Sequence, residues 1–189
     1  GKLLSAKQAT LQGGSVVNAD GVIYSAEALS IQTGGLDNSR GHISNKQGDV
    51  SINTSKQLLI NHQGTIASAA MLSIAAGNTD NKEGVITAEQ ALSVNADSLN
   101  NSRGRLISNG QDIALNIATQ LNNQVGTIAA QNVVNINGDL QNNKGVVLSE
   151  KGGVRVNSKA QIDNAEGVIQ AAQAATLYSQ GVDNSKGLI

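Results

Sequence analysis

The sequence predicts an all-β fold, a parallel β-helix (solenoid) of about nine coils, where a coil is one turn of the chain around the long axis. Three observations predict it. In-phase copies of Asn-x-x-Gly recur nine times, about every 20 residues. Apolar and polar residues alternate between these motifs, which is typical of strands with one buried face. Hydrophobic residues make up 39% of the chain and aromatic residues only 1%. Repeats of this length are typical of solenoids, in which each coil packs only against its neighbours.

The Asn-x-x-Gly motif divides the chain into coils of 19 to 23 residues, the extremes being Gly126 to Gly145 and Gly41 to Gly64. The nine pairs are Asn18/Gly21, Asn38/Gly41, Asn61/Gly64, Asn81/Gly84, Asn101/Gly104, Asn123/Gly126, Asn142/Gly145, Asn164/Gly167 and Asn184/Gly187. Their even spacing predicts one elongated domain over residues 1–189.

Four apolar columns accompany the motif, a column being the set of residues at one position in successive coils. Two positions before each Asn stand Val16, Leu36, Leu59, Thr79, Leu99, Leu121, Leu140, Ile162 and Val182. Two positions after each Gly stand Leu3, Ile23, Ile43, Ile66, Ile86, Leu106, Ile128, Val147, Ile169 and Ile189. A second inward pair runs Leu29/Ile31, Val50/Ile52, Leu72/Ile74, Leu92/Val94, Leu115/Ile117, Val134/Ile136 and Val154/Val156. Thr79 is the polar exception among the residues two positions before Asn.

The motif itself has a structural interpretation. Glycine tolerates a positive φ, so we expect each Gly to close a tight corner. Asparagine carries both a donor and an acceptor, so we expect the nine Asn side chains to stack as an amide ladder along one edge. Such a ladder would satisfy amides that face inward, and these 18 Asn and Gly positions are therefore predicted as structural sites.

Two kinds of surface feature follow from stacking. The residue before each Gly places opposite charges on successive coils, as at Asp20 and Arg40, which we expect to support the register of the coils. Extra residues in the longer coils fall at 54–58, 158–161 and 107–111. Insertions between strands of a solenoid form outer loops, and these loops are short.

Candidate catalytic and metal-binding residues are sparse. His42 and His62 are the only histidines, and they occupy different columns without a cluster of carboxylates, which disfavours a metal site. The carboxylates that precede the motif recur as a ladder position instead of forming one cleft: they are Asp37, Asp80, Asp163 and Asp183. We therefore predict neither enzymatic activity nor a cofactor.

The charge and the cysteine content restrict the class of protein. The net charge is −1 and the basic residues are dispersed, which disfavours a nucleic-acid partner. The absence of cysteine excludes a disulfide scaffold. No apolar run is long enough to span a membrane. The repeats run from one end of the sequence to the other, so we expect a segment of a much larger protein.

The pattern L-x-N-x-x-G-x-I, followed about ten residues later by L-x-I, resembles the haemagglutinin repeats of filamentous haemagglutinins. These are exoproteins of Gram-negative two-partner secretion, and the stalks of contact-dependent growth-inhibition effectors are similar. The units Leu36–Ser44 and Leu99–Leu106 carry the pattern, and the resemblance covers the whole chain. It implies a right-handed parallel β-helix, in agreement with the usual handedness of parallel crossovers.

The resemblance also implies a location, partners and a function. The expected location is the outer cell surface of a Gram-negative bacterium or the medium. The expected export partner is an outer-membrane two-partner-secretion transporter, and a receptor on a host cell or a neighbouring bacterium is a candidate second partner. The expected function is a structural shaft that projects an adhesive or toxin-delivering portion. The alternative is a direct adhesion module that binds a glycan or a protein.

Overall fold

The computed structural model describes residues 1–189, which fold as one parallel β-solenoid without helices. Twenty-five strands, numbered in chain order, form three faces. The first face holds β1 (Lys2–Ser5), β4 (Val22–Ser25), β7 (His42–Asn45), β10 (Thr65–Ser68), β13 (Val85–Ala88), β16 (Arg105–Ser108), β18 (Thr127–Ala130), β20 (Val146–Ser149) and β23 (Val168–Ala171). The second holds β2 (Ala9–Gly13), β5 (Leu29–Thr33), β8 (Val50–Asn53), β11 (Leu72–Ala75), β14 (Leu92–Ala96), β17 (Ile113–Asn122), β19 (Val134–Gln141), β21 (Val154–Asn157) and β24 (Ala175–Tyr178). The third holds β3 (Val16–Val17), β6 (Leu36–Asp37), β9 (Leu59–Ile60), β12 (Asn78–Asp80), β15 (Ser98–Asn100), β22 (Gln161–Asp163) and β25 (Gly181–Asp183), together with the ends of β17 and β19.

Each strand pairs in parallel with its equivalent in the neighbouring coil. Lys2 lies opposite Val22, and Val22 lies opposite His42, so equivalent residues stack along the axis. The first face is one sheet of nine strands, and the other two faces are joined in a sheet of 16 strands. The predicted all-β parallel solenoid of about nine coils is confirmed.

Period-two alternation decides which side chains point inward. In β4 the residues alternate between half-buried and buried, and in β5 Leu29, Ile31 and Thr33 are buried while the residues between them face outward. The buried columns form one continuous hydrophobic core along the axis. Aliphatic side chains of similar size fill it because every layer must fit the layers above and below. The absence of Phe and Trp is therefore compatible with a well-packed core.

The predicted inward pair is wrong in one coil. Leu92 lies opposite Ile113 and Val94 opposite Leu115, so the inward pair of that coil is Ile113/Leu115 and not Leu115/Ile117. Ile117 is also buried, at 4% exposure, and lies opposite Ala96. Ile113, Leu115 and Ile117 alternate with other residues, so two different inward pairs fit the sequence. Strand pairing with the preceding coil selects one of them.

The coil from Gly104 to Gly126 also carries its extra residues differently from the prediction. One lies between the first and second faces, where the expected segment 107–111 is located. The other lies in β17, where pairing with β19 shifts between Asn116 and Gln120. β17 runs continuously over two faces for 10 residues, and β19 does so for 8, instead of breaking into two short strands.

No helix in the chain is long and apolar enough to cross a membrane.

Thr79 is the one polar residue in the apolar column two positions before Asn. It is 2% exposed and lies between Leu59 and Leu99 of the adjacent coils. Its hydroxyl oxygen is the only buried side-chain nitrogen or oxygen atom without a hydrogen-bond partner. A buried polar group in this state costs about 1–3 kcal/mol of stability.

We expect Thr79→Val to raise the free energy of unfolding by about 1–3 kcal/mol, because it removes the unpaired hydroxyl and keeps the branched shape. Urea unfolding followed by circular dichroism measures this change. Thr87→Val is the matched control: Thr87 is half-buried on the outward side of β13, and we expect a change within about 0.5 kcal/mol. A loss of stability in Thr79→Val would contradict the interpretation.

Candidate functional site

The nine Asn side chains of the repeat motif stack in one line inside the corner that follows the third face. In every member except the last, Asn184, the side-chain Nδ2 donates to Oδ1 of the Asn in the next coil, over 2.6–2.7 Å. The line runs the length of the chain, and we call it the inner ladder. Its ends differ in burial, since Asn18 is 7% exposed and Asn184 is exposed. The seven members between them are wholly buried: Asn38, Asn61, Asn81, Asn101, Asn123, Asn142 and Asn164.

Each amide of the inner ladder also contacts backbone carbonyls. Nδ2 of Asn101 lies 3.3 Å from the carbonyl oxygen of Gly104 in its own coil and 3.3 Å from that of Thr127 in the next. The same pair of contacts recurs from Asn18 to Asn164. Both amide hydrogens are therefore used inside the corner, which leaves this row no capacity to bind a ligand.

The corner is a four-residue turn from Asn to Gly, closed by a hydrogen bond from the Gly amide to the Asn carbonyl, as in Gly104 to Asn101 at 2.9 Å. The expectation that the motif glycine takes the positive φ is wrong in every coil. None of the nine has φ in the left-handed region: Gly21, Gly41, Gly64, Gly84, Gly104, Gly126, Gly145, Gly167 and Gly187.

The residue before each motif glycine takes the positive φ instead, with values between 53° and 58° in all nine coils. Even Val125 adopts φ 58°, an unfavourable conformation for a β-branched residue. Residues as different as Asp20 and Lys186 share the conformation. The turn geometry thus overrides local preference.

Glycine is required in the motif because of a close approach between coils. A Cβ on Gly104 would lie 2.2 Å from the backbone oxygen of Asn81 in the preceding coil. The corresponding distance is 2.1–2.3 Å for every motif glycine from Gly41 onward, with Gly84 and Gly187 at the two extremes. Since the contact is with backbone, no side-chain rearrangement can relieve it. The glycines do close the corner through their amides, but the predicted reason for glycine is corrected: they supply space between coils and not a left-handed φ.

We expect Gly104→Ala to lower the free energy of unfolding by about 3 kcal/mol or more, since the added methyl group overpacks a backbone contact. Gly14→Ala is the matched control, because a Cβ at Gly14 meets no atom within 4 Å. Thermal unfolding of both variants checks the difference. Equal melting temperatures would show that the coils can move apart at this corner.

We expect Asn101→Ala to lower the free energy of unfolding by roughly 2–4 kcal/mol, because it breaks the inner ladder and leaves Asn81 and Asn123 without their partner. The control is Asn184→Ala, at the exposed end, for which we expect less than about 1 kcal/mol. Urea denaturation measures both. A loss of the same size at the two positions would mean that the continuity of the ladder is unimportant.

The column before each Gly lies on the outer surface and holds the predicted charge pairs. Arg40 binds Asp20 through two bonds of 2.6 and 2.7 Å, and this hydrogen bonding lowers the pKa of Asp20. Arg103 lies 3.6 Å from Glu83. A hydrogen bond from Gln63 is the main cause of the lowered pKa of Glu83. These contacts are solvent-exposed and contribute little to stability.

A further charge contact joins Lys144 and Glu166 at 3.7 Å on the same surface. Lys186, which occupies the same column in the next coil, forms no ion pair. The alternation of sign along this column prevents a patch of one charge, so it does not form a binding surface for a polyanion.

The carboxylates that precede the motif accept hydrogen bonds from backbone amides within the turn. Oδ1 of Asp37, Asp80, Asp163 and Asp183 accepts the backbone amide two residues later, over 2.9–3.0 Å. At Asp183 the hydroxyl and the amide of Ser185 together lower the pKa of the carboxyl group. The geometry assigns this column to turn formation and not to acid–base chemistry.

The two histidines lie in different parts of the coil. His42 is exposed in β7, and His62 lies in the turn that follows Asn61. No group of three or more His, Cys, Asp or Glu residues could hold a metal ion.

A groove on the outer surface is the feature that sequence reasoning missed. It lies where the chain leaves the second face and has a volume of about 870 Å³. Its floor consists of small or buried residues, namely Ala76, Ala96, Ile117 and Gly138. One wall consists of side-chain amides, Asn53, Asn95, Asn116, Asn137 and Asn157. We call it the amide groove.

The opposite wall of the amide groove is polar and mixed in charge. It includes Lys56, Asp97, Thr119, Asp139 and Lys159. Burial opposes ionisation of Asp139, but bonds from the Ser158 hydroxyl and the amides of Lys159 and Ala160 outweigh it and lower its pKa. This carboxylate shapes the wall and stays charged at neutral pH.

The wall of amides belongs to a longer column that was visible in the sequence. The residue directly after the inward pair is a carboxamide in seven coils: Gln12, Gln32, Asn53, Asn95, Asn116, Asn137 and Asn157. Ala75 replaces it in one coil and Tyr178 follows Asn157. If the inward pair is taken as Leu115/Ile117, the residue that follows it is Ala118 and not Asn116. The column of carboxamides then looks interrupted in this coil.

Comparison with known families agrees with the architecture. The family model of the haemagglutinin repeat matches residues 1–48, 47–116 and 91–189, which together span the chain. The protein therefore belongs to the haemagglutinin repeat family, as its resemblance predicted. No curated protein and no solved structure matches the chain. Members of this family are secreted or surface-exposed exoproteins, of a structural or adhesive class.

Proposed function

We propose that this segment is the structural shaft of a filamentous exoprotein, which projects an adhesive or toxin-delivering portion away from the cell. The supporting observation is the unbroken inner ladder, in which all nine motif amides are joined by short hydrogen bonds. A rod of nine coils at about 4.8 Å per coil extends about 43 Å. We expect the rod to be stiff, because bending it would stretch the hydrogen bonds of the inner ladder and the backbone pairs of at least one face.

The proposed route to this state is export in the unfolded form. An outer-membrane two-partner-secretion transporter of a Gram-negative bacterium is the partner, and each emerging coil folds on the edge of the coil before it. Nearest-neighbour stability in repeat proteins supports this mechanism. Contact-dependent growth inhibition and virulence are roles that such a shaft can serve, because each needs a portion of the molecule held at a distance from the surface.

A coil deletion in the full exoprotein tests the shaft. Removing residues 21–40 joins Asp20 to Gly41 and deletes one 20-residue coil in register, outside the amide groove. We expect the variant to be exported and folded, and to retain adhesion or delivery with a reach shorter by about 4.8 Å. Folding and function are measured by protease resistance and by a cell-contact assay.

The matched control removes only residues 31–40, half a coil, which breaks every column above the deletion. We expect this variant to be degraded. If the in-register deletion is exported and folded but abolishes activity, the removed coil does more than set distance, and the shaft proposal fails.

Direct adhesion by this segment is the second candidate function, and the amide groove favours it. The groove has a volume of about 870 Å³ and extends over several coils, although the chain has no long loop and no stripe of one charge. Binding of the 189-residue chain to target cells, compared with binding of the full exoprotein, separates the candidates. Saturable binding by the chain alone supports direct adhesion and contradicts a purely passive shaft.

A further inference from the structure

The amide groove presents hydrogen-bonding groups at a regular spacing. Asn116 donates to Asn95 over 3.0 Å, and Asn137 donates to Asn116 over 2.8 Å. A carboxamide has two N–H groups and two acceptor positions. Each of these two contacts uses one donor and one acceptor, so Asn116, which takes part in both, still offers one donor and one acceptor to solvent. These groups repeat along the axis about every 4.8 Å, the spacing of paired strands.

The backbone around the amide groove is already paired, which excludes a peptide that adds as a strand. β14, β17, β19 and β21 are joined in parallel along the axis, so their amides and carbonyls face each other. Strand addition requires a free backbone edge. An extended peptide lying along the axis would also present every second residue at about 6.6–6.8 Å, which does not match the repeat of about 4.8 Å.

The side chains of the amide groove exclude two further classes of ligand. Ile117 is the one large apolar residue in the lining, and it is 4% exposed, so an amphipathic helix would find no apolar anchor. Lys56 and Lys159 are balanced by Asp97 and Asp139 in the same wall. A polyanion such as a sulfated glycan would therefore gain little from charge.

An aromatic residue continues the amide column at one end. Tyr178 lies opposite Asn157 in the next coil, and 61% of it is exposed. It is one of two aromatic residues in the chain, and the other, Tyr24, lies on the first face. A tyrosine ring combines an apolar face with a polar tip, which suits a sugar ring with its C–H face and its hydroxyl rim.

We propose that the amide groove binds an uncharged linear polysaccharide lying parallel to the rod. Successive sugar hydroxyls donate to and accept from the carboxamides of Asn95, Asn116 and Asn137, and a terminal ring stacks on Tyr178. The small residues of the floor let the chain approach closely. This proposal rests on direct adhesion, the second candidate function, and names its ligand class; the shaft function does not depend on it.

A binding assay with defined oligosaccharides tests the proposal. The probes are soluble neutral oligomers of glucose and of mannose in different linkages, with heparin as the sulfated probe, added to the 189-residue chain in isothermal titration. We expect at least one neutral oligomer to bind saturably, with affinity that rises with length up to about five sugars, and heparin to bind more weakly. Asn95→Ala/Asn116→Ala/Asn137→Ala should weaken binding about 10- to 100-fold.

Two controls keep the result specific to the amide groove. Gln12→Ala/Gln32→Ala removes carboxamides from the same column outside the groove and should leave the affinity unchanged. Ala75 already occupies this column, so alanine is compatible with the fold, and circular dichroism checks each variant. Tyr178→Ala should weaken binding several-fold.

Three outcomes overturn the proposal: no neutral oligomer binds, heparin alone binds, or the triple variant binds as well as the parent chain. If the 189-residue chain nevertheless adheres to cells, direct adhesion stands and only the ligand class is wrong. If neither cells nor oligomers bind, the segment serves as a shaft alone.

Discussion

The contact between each motif glycine and the Asn carbonyl of the coil before it is the constraint on which the structure depends. At this corner two backbones approach so closely that a methyl group has no room, and the buried amides join in a line. The contact fixes the register of the corner from one coil to the next, and parallel strand pairing extends that register to the other columns. Variation in coil length must then be absorbed elsewhere, as in the turn at Ser55 and Lys56 and in the two single insertions between Gly104 and Gly126.

The interior and the exterior of the solenoid are under different constraints. Every inward position must match its equivalents above and below, so the interior holds mostly aliphatic residues and asparagine, together with small buried serine and threonine residues. Outward positions meet solvent and can differ from coil to coil. The two amide columns show the contrast: in the inner ladder both hydrogens of each amide are used within the corner, whereas the carboxamides of the amide groove keep a donor and an acceptor exposed. A shaft needs only the inner ladder, whereas a ligand site requires exposed groups such as the carboxamides of the amide groove.

Much of the fold could be predicted because periodicity reports both the coil and the inward face. The apolar columns, the position of Thr79 and the charge pair of Asp20 with Arg40 follow directly from placing repeats above one another. The positive φ before the glycine could not be inferred, because residues as different as Asp20 and Val125 adopt it. The φ preference of each residue type does not predict a conformation that the turn imposes. The inward pair near Leu115 was also ambiguous, because three alternating apolar residues fit two registers.

The amide groove illustrates the remaining limit. Its amide wall is a sequence column, but concavity depends on how sharply the chain turns after the second face and on the small residues at Ala96 and Gly138. The sequence by itself determined the solenoid, its period and its buried columns, because those depend on the order of polar and apolar residues. Only the tertiary structure decided which φ closes the corner, which register Ile113 and Leu115 adopt, and where the surface becomes a groove. These depend on distances between coils, which a linear pattern does not contain.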